Sequence, residues 1–347
     1  MGEKKERNTN LELYRIIVML AIVAHHSVVN SGLLDVIGEN PMDSRSLFAF
    51  LFGAWGKTGI NCFVLISGYF MCKSEITLKK LLKLLGEVYF YSITINAVFL
   101  VTGYVQPSFK LLFFILLPIQ GFSGNFVSCF IVYYLAIPFL NILVRNMSKR
   151  EHQLLLLLVL SVYTLIGSLP SVGVRIEYIT WFCILHMVSS YIRFYEFPVK
   201  ITHVQWGWLS LLSFFLACVS VIGLIWLGEA DRWDFLLSDT NKFFAFSTGL
   251  SSFMWFKDLE IPHSKFVNRI AASAFGVLLI HANSDVMRQW LWNDVFDMTG
   301  MYYMDGFVLY CILSVLVIYI VCSIIDQFRI ILLEKPLFNL VDKRLGK

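Results

Sequence analysis

The sequence predicts an all-α, polytopic membrane protein with about ten transmembrane helices and both termini cytoplasmic. Hydrophobic residues make up 58% of the 347 positions and charged residues only 15%, whereas a soluble domain carries roughly a quarter charged. Mean hydropathy is strongly positive, at +0.71. Lysine and arginine also fall in clusters between apolar runs, so the net charge of +4 reads as a topology signal and implies no nucleic-acid partner.

Taken in order, the candidate spans are residues 12–32, 47–71, 80–104, 124–144, 153–170, 176–195, 206–227, 242–256, 268–290 and 306–328, two of them short for the roughly 20 residues that a crossing needs. The opening MGEKKERNTN is basic and precedes an apolar stretch, as a secretory signal does. Arg15 inside the helix start, no small-x-small cleavage pattern after His26 and many later spans favour a retained first helix. Residues 109–120 (FKLLFFILLPIQ) are apolar but too few to cross before Pro118, and read as an interfacial or re-entrant segment.

Charge supports this count. With the N-terminus inside, 21 of the 28 lysines and arginines lie on or near the inner side, including Lys4, Lys5, Arg7, Arg15, the cluster Lys73, Lys79, Lys80 and Lys83, then Arg145, Lys149, Arg150, Lys335 and Lys347. Outer loops carry acids instead: Asp35, Glu39 and Asp43, then Glu229, Asp231 and Asp234. The whole chain, 1–347, reads as a single membrane-embedded domain without linker or clear internal repeat. Its seven cysteines lie mostly in apolar segments and show neither a disulfide framework nor a zinc spacing, so no metal is expected.

Ionisable groups at membrane depth need a partner or a function. In the first span Arg15 and His26 are 11 residues apart. At 100° per residue this leaves about 20° after whole turns and about 16.5 Å along the axis, so both lie on one face. His25 is rotated by about 100° and turns toward another helix. His281, closing FGVLLIH in the ninth span, reaches a depth close to that of His26, about 21 Å from the cytoplasmic face. A lone membrane histidine can also serve only as an interhelical hydrogen-bonding group, and a lone arginine can snorkel; His186 in WFCILHM is read as structural in that sense. In WGKTGINCFVLISGYFMCK, Gly56, Gly59 and Gly68 permit close helix approach and Asn61 and Ser67 can bond across helices. Lys57 lies well in from the outer end, placed to line a polar cavity or to meet an outer-loop acid. Lys73, Lys79, Lys80 and Lys83 suit topology and anionic lipid contacts, or a phosphate-bearing cytoplasmic ligand. Neither a glycine-rich phosphate loop nor HExxH occurs.

Three of these segments together resemble the integral-membrane acyltransferase 3 family of bacterial surface-polysaccharide O-acyltransferases. NLELYRIIVMLAIVAHHSVVN resembles the family's first helix, in which an arginine is followed by ten residues and a histidine, here Arg15 and His26. GKTGINCFVLISGYF at 56–70 is similar to its second-helix motif, FGVLLIH at 275–281 to its late histidine-ending helix, and YYLAIPFLN at 133–141 also looks familial. Where members often carry an arginine pair after the second motif, this chain has Lys80 and Lys83, which lack the planar fork that grips phosphate. GNF at 124–126 has phenylalanine where similar sequences often have tryptophan.

The resemblance implies transfer of an acyl group, most often acetyl, from acetyl-CoA or another acyl-CoA on the cytoplasmic side to a hydroxyl of a cell-surface or lipid-linked carbohydrate, in the bacterial plasma membrane and among its lipids. It implies His26 as general base, since imidazole titrates near neutrality; a transient acyl-histidine is the alternative. Arg15 is expected to anchor the donor, with Lys79, Lys80 and Lys83 as candidate contacts for its phosphates. His281 would bind the acceptor or orient His26, with Asn61 or Ser67 as oxyanion donor and His25 as a supporting neighbour. The rival reading is a transporter or flippase for a glycan intermediate. Such a protein explains the spans and polar groups without acyl chemistry and would work without coenzyme A.

Overall fold

The computed structural model describes residues 8–117, 125–195 and 200–344. Among them no strand occurs, and the fold is a helical bundle. In chain order the helices are α1 (Thr9–Val29), α2 (Leu33–Glu39), α3 (Ser44–Gly53), α4 (Gly56–Met71), α5 (Leu78–Val101), α6 (Phe109–Leu116), α7 (Phe126–Asn146), α8 (Lys149–Leu160), α9 (Tyr178–Phe194), α10 (His203–Trp226), α11 (Phe243–Lys257), α12 (Lys265–Ala271), α13 (Ala274–His281), α14 (Asp285–Gln289), α15 (Met298–Tyr302), α16 (Phe307–Arg329) and α17 (Lys335–Arg344). Lys4, Lys5, Arg7, Pro118, Gly124 and Lys347 lie outside the described residues.

Among the described residues seven helices are long and apolar enough to cross a membrane, or eight if one bent pair is counted as a span. The chain is therefore a multi-pass membrane protein. The other two of the ten expected segments are helices of 17 and 15 residues, α9 and α11. Both pack inside the bundle, α9 between α4 and α7 and α11 between α4 and α10. The ninth segment is not one straight span: the helix ends at His281, and Asp285–Val295 leaves it at 95°. Residues 109–116 form a helix of 8 residues, too short to cross, with Phe109 almost wholly exposed.

Burial separates interior helices from lipid-facing ones. In Ser44–Met71, 72% of the most apolar stretch is buried, against 17% in Lys149–Ser168 and 22% in α10. Small residues explain the interior position of α4: a β-carbon on Gly59 would meet the Ile22 side chain at 2.7 Å, and one on Gly68 would meet the Ser189 hydroxyl at 2.2 Å. Around α1 pack α3, α4, α11, α12, α13 and α16, so the first helix is the axis of the bundle. Its start is capped by Asn8, whose side chain accepts from the Asn10 and Leu11 amides. There Asn10 also hydrogen-bonds the Leu259 carbonyl. Arg15 lies beside Phe70 at the far end of α4, and Lys79, opening α5, pairs with Asp342 of α17 at 2.6 Å. Both ends of the described chain thus sit at one end of the bundle.

One charged cluster is buried where α5 and α16 meet. Arg329 contacts Glu87 at 3.0 Å, Asp326 at 2.8 Å and Glu334 at 2.9 Å. Tyr91 donates to Asp326 at 2.8 Å, and Lys83 reaches Glu334. Asp326 has no exposure and rests against α13, where a β-carbon on Gly276 would meet its carboxyl at 2.4 Å.

Candidate functional site

The packing of α13 against α1 brings the two predicted histidines together. His26 Nδ1 and His281 Nε2 are 2.9 Å apart, across 255 residues of sequence. The other nitrogen of His281, Nδ1, lies 2.6 Å from the Val277 carbonyl one turn back on α13. A carbonyl only accepts, so this bond places a proton on His281 Nδ1 and leaves its Nε2 as an acceptor. His26 must then donate from Nδ1, which leaves Nε2 of His26 as the unprotonated, basic nitrogen. A backbone carbonyl thus sets both tautomers in succession, as the orienting group does in a catalytic triad.

His26 lines a cavity of about 230 Å³ whose walls also include Met19, Ile22, His25 and Asn30 of the first helical segment, with Lys57, Phe126, Tyr178 and Arg288 opposite, while His281 stands buried behind His26. From Met19 to Asn30 is about 16 Å of helix, so the cavity follows the predicted face of α1 and stops one turn short of Arg15. Three helices begin at it: Gly56 and Lys57 open α4, Asn125 caps α7 with Phe126 as its first residue, and Tyr178 opens α9. Unpaired amides at helix starts carry partial positive charge. Together with Lys57 and Arg288 they make the cavity a place for developing negative charge. No carboxylate among the described residues lines it.

The remaining predicted residues divide by position. His25 lies on the wall of the same cavity, and its Nδ1 is fixed by the Gly53 carbonyl at 2.6 Å. It faces another helix, as expected, yet also presents its ring to the site. Arg15 lies on the stripe of Met19, Ile22 and His26 but outside the cavity, 3.2 Å from Glu12. Asn61 and Ser67, expected near the oxyanion, are not brought there. Asn61 accepts from the Trp181 indole and donates to the Thr240 carbonyl, both at 2.7 Å, and Ser67 donates to the Phe63 carbonyl at 2.8 Å. Their hydrogen bonds hold α4 to its neighbours and to itself. Lys79, Lys80 and Lys83 gather at the opposite end of the bundle, where Lys80 contacts Ser74 and the Glu75 carbonyl, Lys79 pairs with Asp342 and Lys83 pairs with Glu334.

Lys57 meets the first of its two expectations. It lines the cavity, donates to the Tyr178 hydroxyl at 2.6 Å and interacts electrostatically with Asp239 and Asp234 of the loop before α11. His186 is structural: it accepts from Tyr133 at 2.9 Å and donates to Asn141 at 3.0 Å, tying the YYLAIPFLN segment of α7 to α9. Sequence reasoning missed Arg288 and Asn30. Arg288 stands seven residues after His281, and only the 95° turn brings it back over the cavity.

Close approach at Gly56 holds the site together. A β-carbon there would fall 2.2 Å from the His25 ring, which the Gly53 bond prevents from yielding. Gly56→Ala is expected to lower the thermal unfolding midpoint of the detergent-purified protein, by an overpacking cost of about 1–3 kcal/mol.

No curated protein and no solved structure matches the chain significantly. A family model does, described as an acyltransferase domain, and it matches residues 8–323, from the cap of α1 into α16 and so across both histidines. With nearly the whole chain under that one match, this protein belongs to the acyltransferase 3 family and is a membrane-embedded acyltransferase.

Proposed function

We propose that the protein transfers an acetyl group from acetyl-CoA, or another acyl group from its CoA thioester, to a hydroxyl of a cell-surface or lipid-linked carbohydrate, with His26 as general base. The observation that carries this reading is the His26–His281 pair, with its tautomers fixed and its free nitrogen beside a cavity. His26 Nε2 removes the hydroxyl proton as the sugar oxygen attacks the thioester carbon. His281 Nε2 accepts from Nδ1 of the resulting imidazolium. When the carbon–sulfur bond breaks, His26 returns the proton to the leaving thiolate, giving free coenzyme A and the ester. Lys57 and the starts of α4, α7 and α9, rather than Asn61 or Ser67, stabilise the oxyanion.

At about 230 Å³ the cavity is smaller than pockets that enclose whole drug-sized ligands, about 300–1,000 Å³. It suits the reacting ends of two longer substrates. Arg15, one turn from its inner edge, is the donor-side anchor in this proposal, and Lys79, Lys80 and Lys83 at that end of the bundle are the candidate contacts for the donor's phosphates. That end faces the cytoplasm of a bacterial plasma membrane, and the acceptor meets His26 from the other side.

Incubation of purified protein in lipid nanodiscs with acetyl-CoA carrying a labelled acetyl group should move the label onto a glycan, detected by mass. Glycan translocation that continues without any CoA donor, and without label on the glycan, would overturn the proposal in favour of a flippase.

A further inference from the structure

We infer that the acceptor carries an ionised acidic group, a carboxylate or a phosphate on the carbohydrate, and that Arg288 and Asn30 bind it at the cavity. This inference rests on the acyl-transfer reading for what the acceptor is, and it concerns its recognition.

The chemistry of the wall points that way. Arg288 and Asn30 both line the cavity. The Asn30 amide nitrogen is buried and has no hydrogen-bond partner among the described residues. Leaving such a donor unmade costs about 1–3 kcal/mol unless something accepts from it. The Arg288 side chain is 34% exposed, and its ionic partner is Asp285, which at 97% exposure stands in solvent outside the cavity. Exposed pairs of this kind contribute little and exchange readily. A guanidinium has five donors in a planar fork that matches carboxylate and phosphate alike, and the contacts with Asp285 and the Ser284 carbonyl leave part of that fork over.

Lys57 is committed differently. Its ammonium is held by Tyr178 at 2.6 Å and has loop acids as electrostatic partners, so it serves the fixed positive field and Arg288 the incoming group.

Binding without donor tests recognition apart from chemistry. Detergent-purified protein is titrated, in the absence of CoA, with a glucuronate-containing tetrasaccharide, with the same tetrasaccharide after its carboxyls are reduced to alcohols, and with a glycerol phosphate oligomer. Either acidic probe should bind at least about tenfold more tightly than the neutral one, as expected for a hydrogen-bonded charge; which of them does so distinguishes carboxylate from phosphate. Arg288→Gln should erase that preference, Arg288→Lys should restore part of it, and Asn30→Ala should reduce it, while Asp285→Asn leaves it intact. Equal binding of all three probes, or an acidic preference that survives Arg288→Gln in protein with an unchanged melting curve, would overturn the inference. Loss of acyl transfer is not read in this titration, so its failure and the failure of the enzymatic reading are separable.

Discussion

His26→Ala protein is expected to remain folded in the membrane and to lose acyl transfer by roughly 10²–10⁴-fold, the contribution of a positioned general base. The hydrogen-bond chain adds a sharper expectation for its partner. His281 holds the proton of His26 on Nδ1, so His281→Ala frees His26 to place that proton on the cavity-facing nitrogen, where it blocks proton abstraction. The two substitutions remove parts of one device. The double variant should therefore be no slower than His26→Ala alone, a non-additivity seen when residues act as a unit. Transfer rates of the single and double variants in nanodiscs give the comparison directly. Undiminished transfer by His26→Ala protein would remove the histidine from the mechanism.

The second large effect concerns stability. Arg329 links Glu87, Asp326 and Glu334, and its side chain is 6% exposed. Arg329→Met leaves Glu87 and Asp326 without that cation in a buried setting, a change that costs about 3–5 kcal/mol. The thermal midpoint in detergent should fall strongly. A triple variant, Arg329→Met with Glu87→Gln and Asp326→Asn, should recover part of the loss, because it removes the uncompensated charges as well. A midpoint unchanged by Arg329→Met would show that the cluster does not hold α5 against α16.

How much of this was legible in the sequence depends on the distance over which a signal acts. The helical period placed Arg15 and His26 on one face, and residue counting put His281 at the depth of His26; both use only rise and rotation within a single helix. That those helices touch is a tertiary fact, and the structure supplies it. Arg288 escaped because its place at the cavity depends on the sharp turn after His281, whereas Asn30, four residues after His26 and so on the same face of α1, was within reach of the helical period. Asp326 had a signal that went unused: it is an acid inside the expected span 306–328, and such a residue calls for a named partner. Asn61 and Ser67 show the converse. Polar residues in a glycine-rich helix suggested chemistry, but small neighbours also allow the close packing in which their bonds are purely structural.

The His26–His281 pair is oriented by a carbonyl, with no carboxylate in the chain of bonds. A histidine–aspartate pair keeps a permanent charge, and a charge crossing a membrane potential involves about 2.3 kcal/mol per 100 mV. A pair of neutral imidazoles at rest offers that field nothing to act on. The energised state of the membrane therefore does not bias the resting pair.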